Sequence, residues 1–200
     1  MPCRQSLADA AVTRRNVLML LGASASPVLP GHAADDKSDN SHVKKLLQAG
    51  SCAVLLRHAT TDPGVGDPPD FKLDDCRTQR NLSVAGREDA QRIGAWFASR
   101  KLKPRAVLSS AWCRCKDTAD LVFGKHAVWA ALNSTFGDRV QQPDQSAQLR
   151  QALALIPARQ FEVWVTHQVN ISAIAGQGAA MGEALILDGE GRVLGRTAFA

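Results

Sequence analysis

Two histidines each stand at the end of an apolar run. Arg57-His58 follows Cys52-Ala53-Val54-Leu55-Leu56, and His167 follows Val163-Trp164-Val165-Thr166. Short apolar runs of this kind read as buried strands. In open α/β sheets, ligands bind outside the carboxyl ends of the strands. An imidazole placed there can act as nucleophile, base or hydrogen-bond donor. The arginine beside His58 adds a planar, permanently charged fork that suits phosphate. The pattern points to an anionic ligand held by both histidines.

The elements that must position these residues follow from the flanking sequence. Val43, Leu46 and Leu47 have helical spacing that ends at Gly50. The stretch from Thr60 to Asp75 is rich in Pro, Gly and Asp and predicts a long loop beside His58. Ser83 is a good N-cap for a helix running to about Lys101, with Ala90, Ile93, Trp96 and Phe97 on one face. Ala106-Val107-Leu108 predicts a short strand ending at Ser109-Ser110, and a helix follows from Ala111 to about Phe123. A further helix is expected from Pro143 to Leu155, a strand from Phe161 to Val165, and a helix from just after His167 to Gly176. Leu185-Ile186-Leu187 and Arg192-Val193-Leu194 flank a Gly-rich turn and read as a hairpin. Alternating strands and helices imply an α/β three-layer sandwich: a mostly parallel central sheet flanked by helices, with a C-terminal hairpin.

Charge narrows the partners. The formal net charge is +5, and Arg4, Arg14 and Arg15 supply part of it, so the balance beyond residue 33 is about +3. With no dense basic run and no aromatic ladder, a nucleic-acid partner is not expected. Residues 1–33 read as an export signal: a basic start, the apolar run Val17-Leu18-Met19-Leu20-Leu21, then small residues up to Ala33 and Ala34. Thr13-Arg14-Arg15-Asn16-Val17-Leu18 resembles the twin-arginine signal. The apolar run falls short of the roughly 20 residues that a membrane span needs. The expected organisation is a signal over 1–33, a polar linker over 34–41 and one domain over 42–200, delivered to the periplasm or beyond. Past the signal, Cys52, Cys76, Cys113 and Cys115 remain, an even number that permits disulfides in an exported protein. Cys52 reads as a small buried hydrophobe. Cys76 and Cys113 flank segments that should both approach the pocket, and are the preferred bridge. Cys113-Arg114-Cys115 is too closely spaced for an ordinary zinc site.

Four segments together resemble the histidine phosphatase superfamily, which includes the phosphoglycerate mutases. Leu55 to Ala59 is similar to its Arg-His-Gly signature. Arg80-Asn81-Leu82-Ser83-Val84-Ala85-Gly86 is similar to its Leu-Ser/Thr-x-x-Gly helix start. Ser109 to Ala119, containing Arg114 and Thr118, resembles its Ser-Pro-x-x-Arg-Ala-x-x-Thr-Ala segment. Val165-Thr166-His167 resembles the strand that delivers its second histidine. Their order and spacing carry the resemblance more than any one of them.

The resemblance implies a metal-independent phosphomonoester hydrolase without cofactor. In it, His58 takes the phosphoryl group as phosphohistidine, His167 donates to a phosphoryl oxygen, and Arg57 and Arg114 clamp the phosphate, with Arg80 as a possible third clamp residue. A phosphorylated small molecule or an envelope glycan would suit an exported enzyme. The sequence departs from the family in three places. Ala59 replaces the glycine; Gly64 stands where the mutase signature has asparagine, although Thr61 matches its threonine; and Leu132-Asn133-Ser134 lacks the glutamate of a Leu-x-Glu motif. A leaving alkoxide needs a proton. Asp62 is the candidate donor, with Asp74, Asp75 and Glu183 as rivals. Two other readings remain: a non-catalytic phosphate-binding module with the same clamp, and a thiol-redox or metal protein built on Cys113, Cys115 and the histidines. His42 and His126 fit no pattern and read as surface residues; Trp96 and Trp112 read as core or pocket wall.

Overall fold

The computed structural model describes residues 33–199. Within them, six strands form one sheet: β1 (Cys52–Arg57), β2 (Ala106–Ser109), β3 (Ala127–Val128), β4 (Phe161–Thr166), β5 (Ala184–Asp188) and β6 (Val193–Thr197), in the order β3-β2-β4-β1-β5-β6. The first four are mutually parallel; β5 runs antiparallel to β1 and pairs with β6 as the expected hairpin. The helices are α1 (Ala33–Ala49), α2 (Val84–Ser99), α3 (Cys113–Phe123), α4 (Gln142–Ala154) and α5 (Gln168–Ala175).

Strand alternation decides the layers. Val54 and Leu56 of β1, Val163 and Val165 of β4 and Ile186 of β5 pack with Val43 and Leu47 of α1, Ile93, Trp96 and Phe97 of α2, and Ala119 and Val122 of α3. Their sequence neighbours Ala53, Leu55, Trp164, Leu185 and Leu187 face the other way, onto Leu149 and Leu153 of α4 and Ile171 and Ile174 of α5. A strand covered on both faces must be apolar at every position, which is why β1 and β4 read as unbroken runs.

The boundaries follow local chemistry. The Ser83 hydroxyl caps α2 by accepting from Gly86 N at 3.0 Å. Gly124 and Gly176 end α3 and α5 in the left-handed conformation. One boundary differs from expectation: residues 34–41, anticipated as a linker, form the first turns of α1. Asn40 there is buried, and its Oδ1 accepts from Trp96 Nε1 at 2.8 Å, so this residue docks where composition alone predicted solvent. The expected export signal, except for Ala33, lies outside the described residues. No described helix is long and apolar enough to cross a membrane.

Candidate active site

The sheet brings the two histidines together. β1 and β4 are adjacent and parallel, with Arg57 opposite Thr166, so His58 and His167 leave neighbouring strands at the same level. Their ring centroids are 5.6 Å apart. The backbone around His58 is held from several sides: its N–H donates to Thr166 O at 3.1 Å, its carbonyl accepts from Gly182 N at 3.1 Å, and Ala59 N donates to Thr118 Oγ1 at 3.0 Å. The Thr118 hydroxyl in turn donates to Arg114 O at 2.7 Å, which ties the first turn of α3 to the residue after His58. Ala59 is not among the non-glycine residues with positive φ. Its methyl group therefore meets no backbone objection where the family has glycine.

Both imidazoles are neutral. His58 is 3% exposed; burial, aided by Arg114, Arg57 and Arg80, pulls its pKa down to about 3 against the opposing hydrogen bond to Ala59. Its Nδ1 lies 2.9 Å from Ala59 O. A carbonyl can only accept, so the single ring proton sits on Nδ1 and Nε2 keeps its lone pair. His167 is held well below the ordinary imidazole range by burial, then by Arg114 and His58. Its Nε2 lies 2.8 Å from Ser110 Oγ and its Nδ1 3.5 Å from Arg114 Nη2.

A cavity of about 350 Å³ opens onto both rings, walled by Arg57, Arg80, Arg114, Asp67, Ser134 and Phe136 among others. Arg57 is braced by Ala179 O at 2.9 Å and Gln168 Oε1 at 3.3 Å, and Arg80 by Gly64 O. Burial lowers the pKa of Arg57 and Arg80, and the neighbouring guanidinium groups lower it further. The Nε atoms of Arg57, Arg80 and Arg114 are buried with no partner among the described residues. Like charges gathered around buried, unpaired donors are the electrostatics of an anion site.

Asp67 was not singled out by sequence reasoning. Its carboxylate takes Arg114 in a two-pronged pair at 2.7 and 3.1 Å, and also accepts from Arg80 N and Trp112 Nε1, each at 3.0 Å. Burial pushes its pKa up, but these donors, Arg114 foremost, outweigh burial and hold it below the usual carboxylate value. Three arginines and one carboxylate leave the cavity with a net charge of +2, the complement of a phosphate dianion. The only available signal was its place in Gly64-Val65-Gly66-Asp67-Pro68, a turn-rich stretch that could carry a polar side chain inward.

The anticipated acids lie elsewhere. Asp62 is exposed and absent from the cavity wall. Asp74 is exposed. Asp75 caps the short 3₁₀ turn Cys76–Thr78 and pairs with Arg77, and Glu183 pairs with Arg196 at 2.7 Å. Ser134 stands in the wall where the Leu-x-Glu motif would put its carboxylate. Trp112 and Trp96 are both core, and Trp112 lies behind the cavity with its ring 5.3 Å from that of His167. His42 is exposed, whereas His126 pairs with Asp120. At the start of α3, Trp112 N donates to Ser110 Oγ and Cys113 N donates to Gln79 Oε1. Cys76 and Cys113 form the expected disulfide, and Cys52 and Cys115 are free and buried. Burial pushes the Cys115 thiol up to about 12. Among the described residues, no group of three or more His, Cys, Asp or Glu could hold a metal ion.

Solved structures share this architecture. A protein histidine phosphatase, SixA, complexed with tungstate superposes with a TM-score of 0.53 at 16% identity, covering 74% of this chain and 97% of that one. A phosphoglycerate mutase from Thermus thermophilus superposes with a TM-score of 0.51 at 17% identity, covering 73% of this chain and 98% of that one. The chain shares its fold with these two proteins. No protein-family model and no curated protein matches the sequence. Within this fold, Arg57, His58, Arg114 and His167 occupy one cavity, and Arg80 joins them there.

Proposed function

We propose that this chain is a phosphohydrolase that passes a phosphoryl group from substrate to His58 and then to water, without metal or cofactor. The observation that carries the reading is the His58 tautomer: a neutral ring with Nδ1–H on Ala59 O and a bare Nε2 at a cavity of net positive charge. The Nε2 lone pair forms the N–P bond as the bond from phosphorus to the leaving atom breaks, and the leaving group departs with that electron pair. The guanidinium groups of Arg57, Arg80 and Arg114 balance the phosphoryl charge, and His167 stabilises it by hydrogen bonding. Water then attacks phosphorus, the N–P bond breaks, and His58 returns to a neutral ring as inorganic phosphate forms.

The leaving group is the selective step. Asp67, the one carboxylate on the cavity wall among the described residues, is held ionised by Arg114 and is a poor acid. Substrates whose leaving groups need no proton from the protein fit best. Aryl phosphates are one class. Phosphoramidates such as phosphohistidine are another, because the distal ring nitrogen takes its proton from water. The likeness to a protein histidine phosphatase supports the second class. The Cys76–Cys113 disulfide supports an exported protein, since disulfides persist in oxidising compartments.

The test is an acid-labile, alkali-stable phosphoryl label trapped on His58 during hydrolysis of an aryl phosphate. Label and turnover should disappear in His58→Ala and survive a chelator. A wild type that turns over without label at His58, or that loses activity to the chelator, overturns the mechanism. A wild type as inactive as His58→Ala that still binds phosphate would leave the non-catalytic binding module.

A further inference from the structure

We propose that Ser110, which does not line the cavity, lets His167 exchange tautomers by accepting from or donating to its Nε2, and so allows that ring to become a donor toward the phosphoryl group. The proposal rests on the role given to His167 above. A neutral imidazole carries one proton, and the two nitrogens of His167 have different neighbours. On the cavity side Nδ1 lies 3.5 Å from Arg114 Nη2. A guanidinium has donors and no acceptor. Before an anion arrives, Arg114 therefore favours a bare Nδ1 and a proton on Nε2, toward Ser110 Oγ at 2.8 Å. In that tautomer the ring turns a lone pair toward the cavity and repels a phosphoryl oxygen.

Ser110 can serve either tautomer because of what else it touches. Its Oγ accepts from Trp112 N at 3.3 Å. Its single hydroxyl proton then has two nitrogen or oxygen acceptors, His167 Nε2 at 2.8 Å and Asn133 Oδ1 at 3.4 Å, besides the Cys115 sulfur. Asn133 Oδ1 accepts from Ala111 N at 2.9 Å, which fixes the amide with its oxygen toward Ser110. When His167 donates from Nε2, Ser110 accepts and sends its own proton to Asn133. When an anion draws the ring proton to Nδ1, the hydroxyl rotates and donates to Nε2. Both ends of the ring are then satisfied in either state, at the cost of one buried hydroxyl rotation. Cys115 Sγ, 3.5 Å from Nε2 and also hydrogen-bonded to Ser110, is a protonated thiol and a weaker acceptor than either the imidazole or the amide.

The experiment records the ¹⁵N shifts of the His167 ring in the folded full chain during titration with inorganic phosphate. Wild type should carry its proton on Nε2 without phosphate and on Nδ1 with it. Asn133→Ala removes the amide acceptor that Ser110 uses when it accepts from Nε2, so before phosphate is added its ring should show more of the Nδ1–H form than the wild type does. Ser110→Ala should lose roughly 10- to 100-fold in kcat on an aryl phosphate with little change in KM, and Ser110→Thr should restore most of it. A wild-type ring that keeps one tautomer throughout, an Asn133→Ala ring with the wild-type tautomer ratio, or a Ser110→Ala enzyme with unchanged kcat overturns the proposal. Phosphate that binds without changing the tautomer defeats this inference alone. Phosphate that does not bind, read as no shift at His58 and no rise in melting temperature, defeats the phosphohydrolase reading with it.

Discussion

Gly86→Ala should damage both stability and phosphate binding, although alanine is the better helix former. Gly86 lies in the first turn of α2, pressed against the backbone of the segment that follows His58. A Cβ built there would overlap Thr60 O, and would stand 2.7 Å from Thr60 C and 3.0 Å from Thr60 N. Carbon contacts are comfortable at about 3.5–4.0 Å, so helix and strap must part by about 1 Å. The atoms that would separate are the ones that hold them together: Ser83 N donates to Thr60 O at 3.1 Å, and Ser83 Oγ donates to the same oxygen at 3.3 Å. Each such bond is worth about 1 kcal/mol, and the forced repacking costs about 1–3 kcal/mol more. Against this stands a gain of about 1 kcal/mol in helix propensity. The net loss is about 2–4 kcal/mol, or a melting temperature lower by about 10 °C for a domain of this size. Arg80 precedes this helix start by a few residues, and its N–H holds Asp67, so the clamp moves too, and a displacement of this size can cost up to about 100-fold in rate. Thermal unfolding followed by circular dichroism, with turnover of an aryl phosphate, measures both. An alanine variant that melts at or above the wild-type temperature with unchanged turnover would refute the reasoning.

Acid should weaken the fold through its buried histidines. His58 has its pKa pulled down to about 3 and His167 is also well below the ordinary value, so between about pH 6.5 and 3 the unfolded chain binds protons that the native chain refuses. Stability therefore falls as pH drops through that window, and His58→Asn should flatten the fall in urea midpoint between neutral and mildly acidic pH. The Cys76–Cys113 disulfide spans a separation of 37 residues, for which loop closure predicts about 4 kcal/mol. The Cys76→Ser, Cys113→Ser double variant should lose close to that in denaturant unfolding, and should bind phosphate more weakly because the segment leading to Arg80 is no longer tied to α3.

The histidine pair and the layers were legible because their signals are local. Unbroken apolar runs marked β1 and β4, Ser83 marked the start of α2, and the alternation of elements implied the parallel sheet. The disulfide followed from placing Cys76 and Cys113 near one pocket. Asp62 was expected in the cavity because proximity in sequence stood in for proximity in space. Asp62 is only four residues from His58 yet is exposed, while Asp67, farther along the same loop, is folded back by Arg114, Trp112 and the Arg80 backbone. Those partners come from separate stretches of chain, and no periodicity encodes such a meeting. Ser110 and Asn133 were hidden for the same reason: each is an ordinary loop residue until the strand ends converge. The early start of α1 was missed because the buried polar side chain of Asn40 finds a partner on α2, far away in sequence.

The parallel register of β1 and β4 divides the molecule into a part that cannot change and a part that can. A one-residue slip between the two strands would offset the imidazoles by about 3.3 Å and turn one of them to the opposite face. No loop rearrangement could repair that. The segments that wall the cavity, from Gly64 to Asp67 and from Ser134 to Phe136, take no part in that register. They are free to lengthen, shorten or exchange side chains while the two rings keep their spacing, so a new leaving group can be accommodated by altering the wall alone.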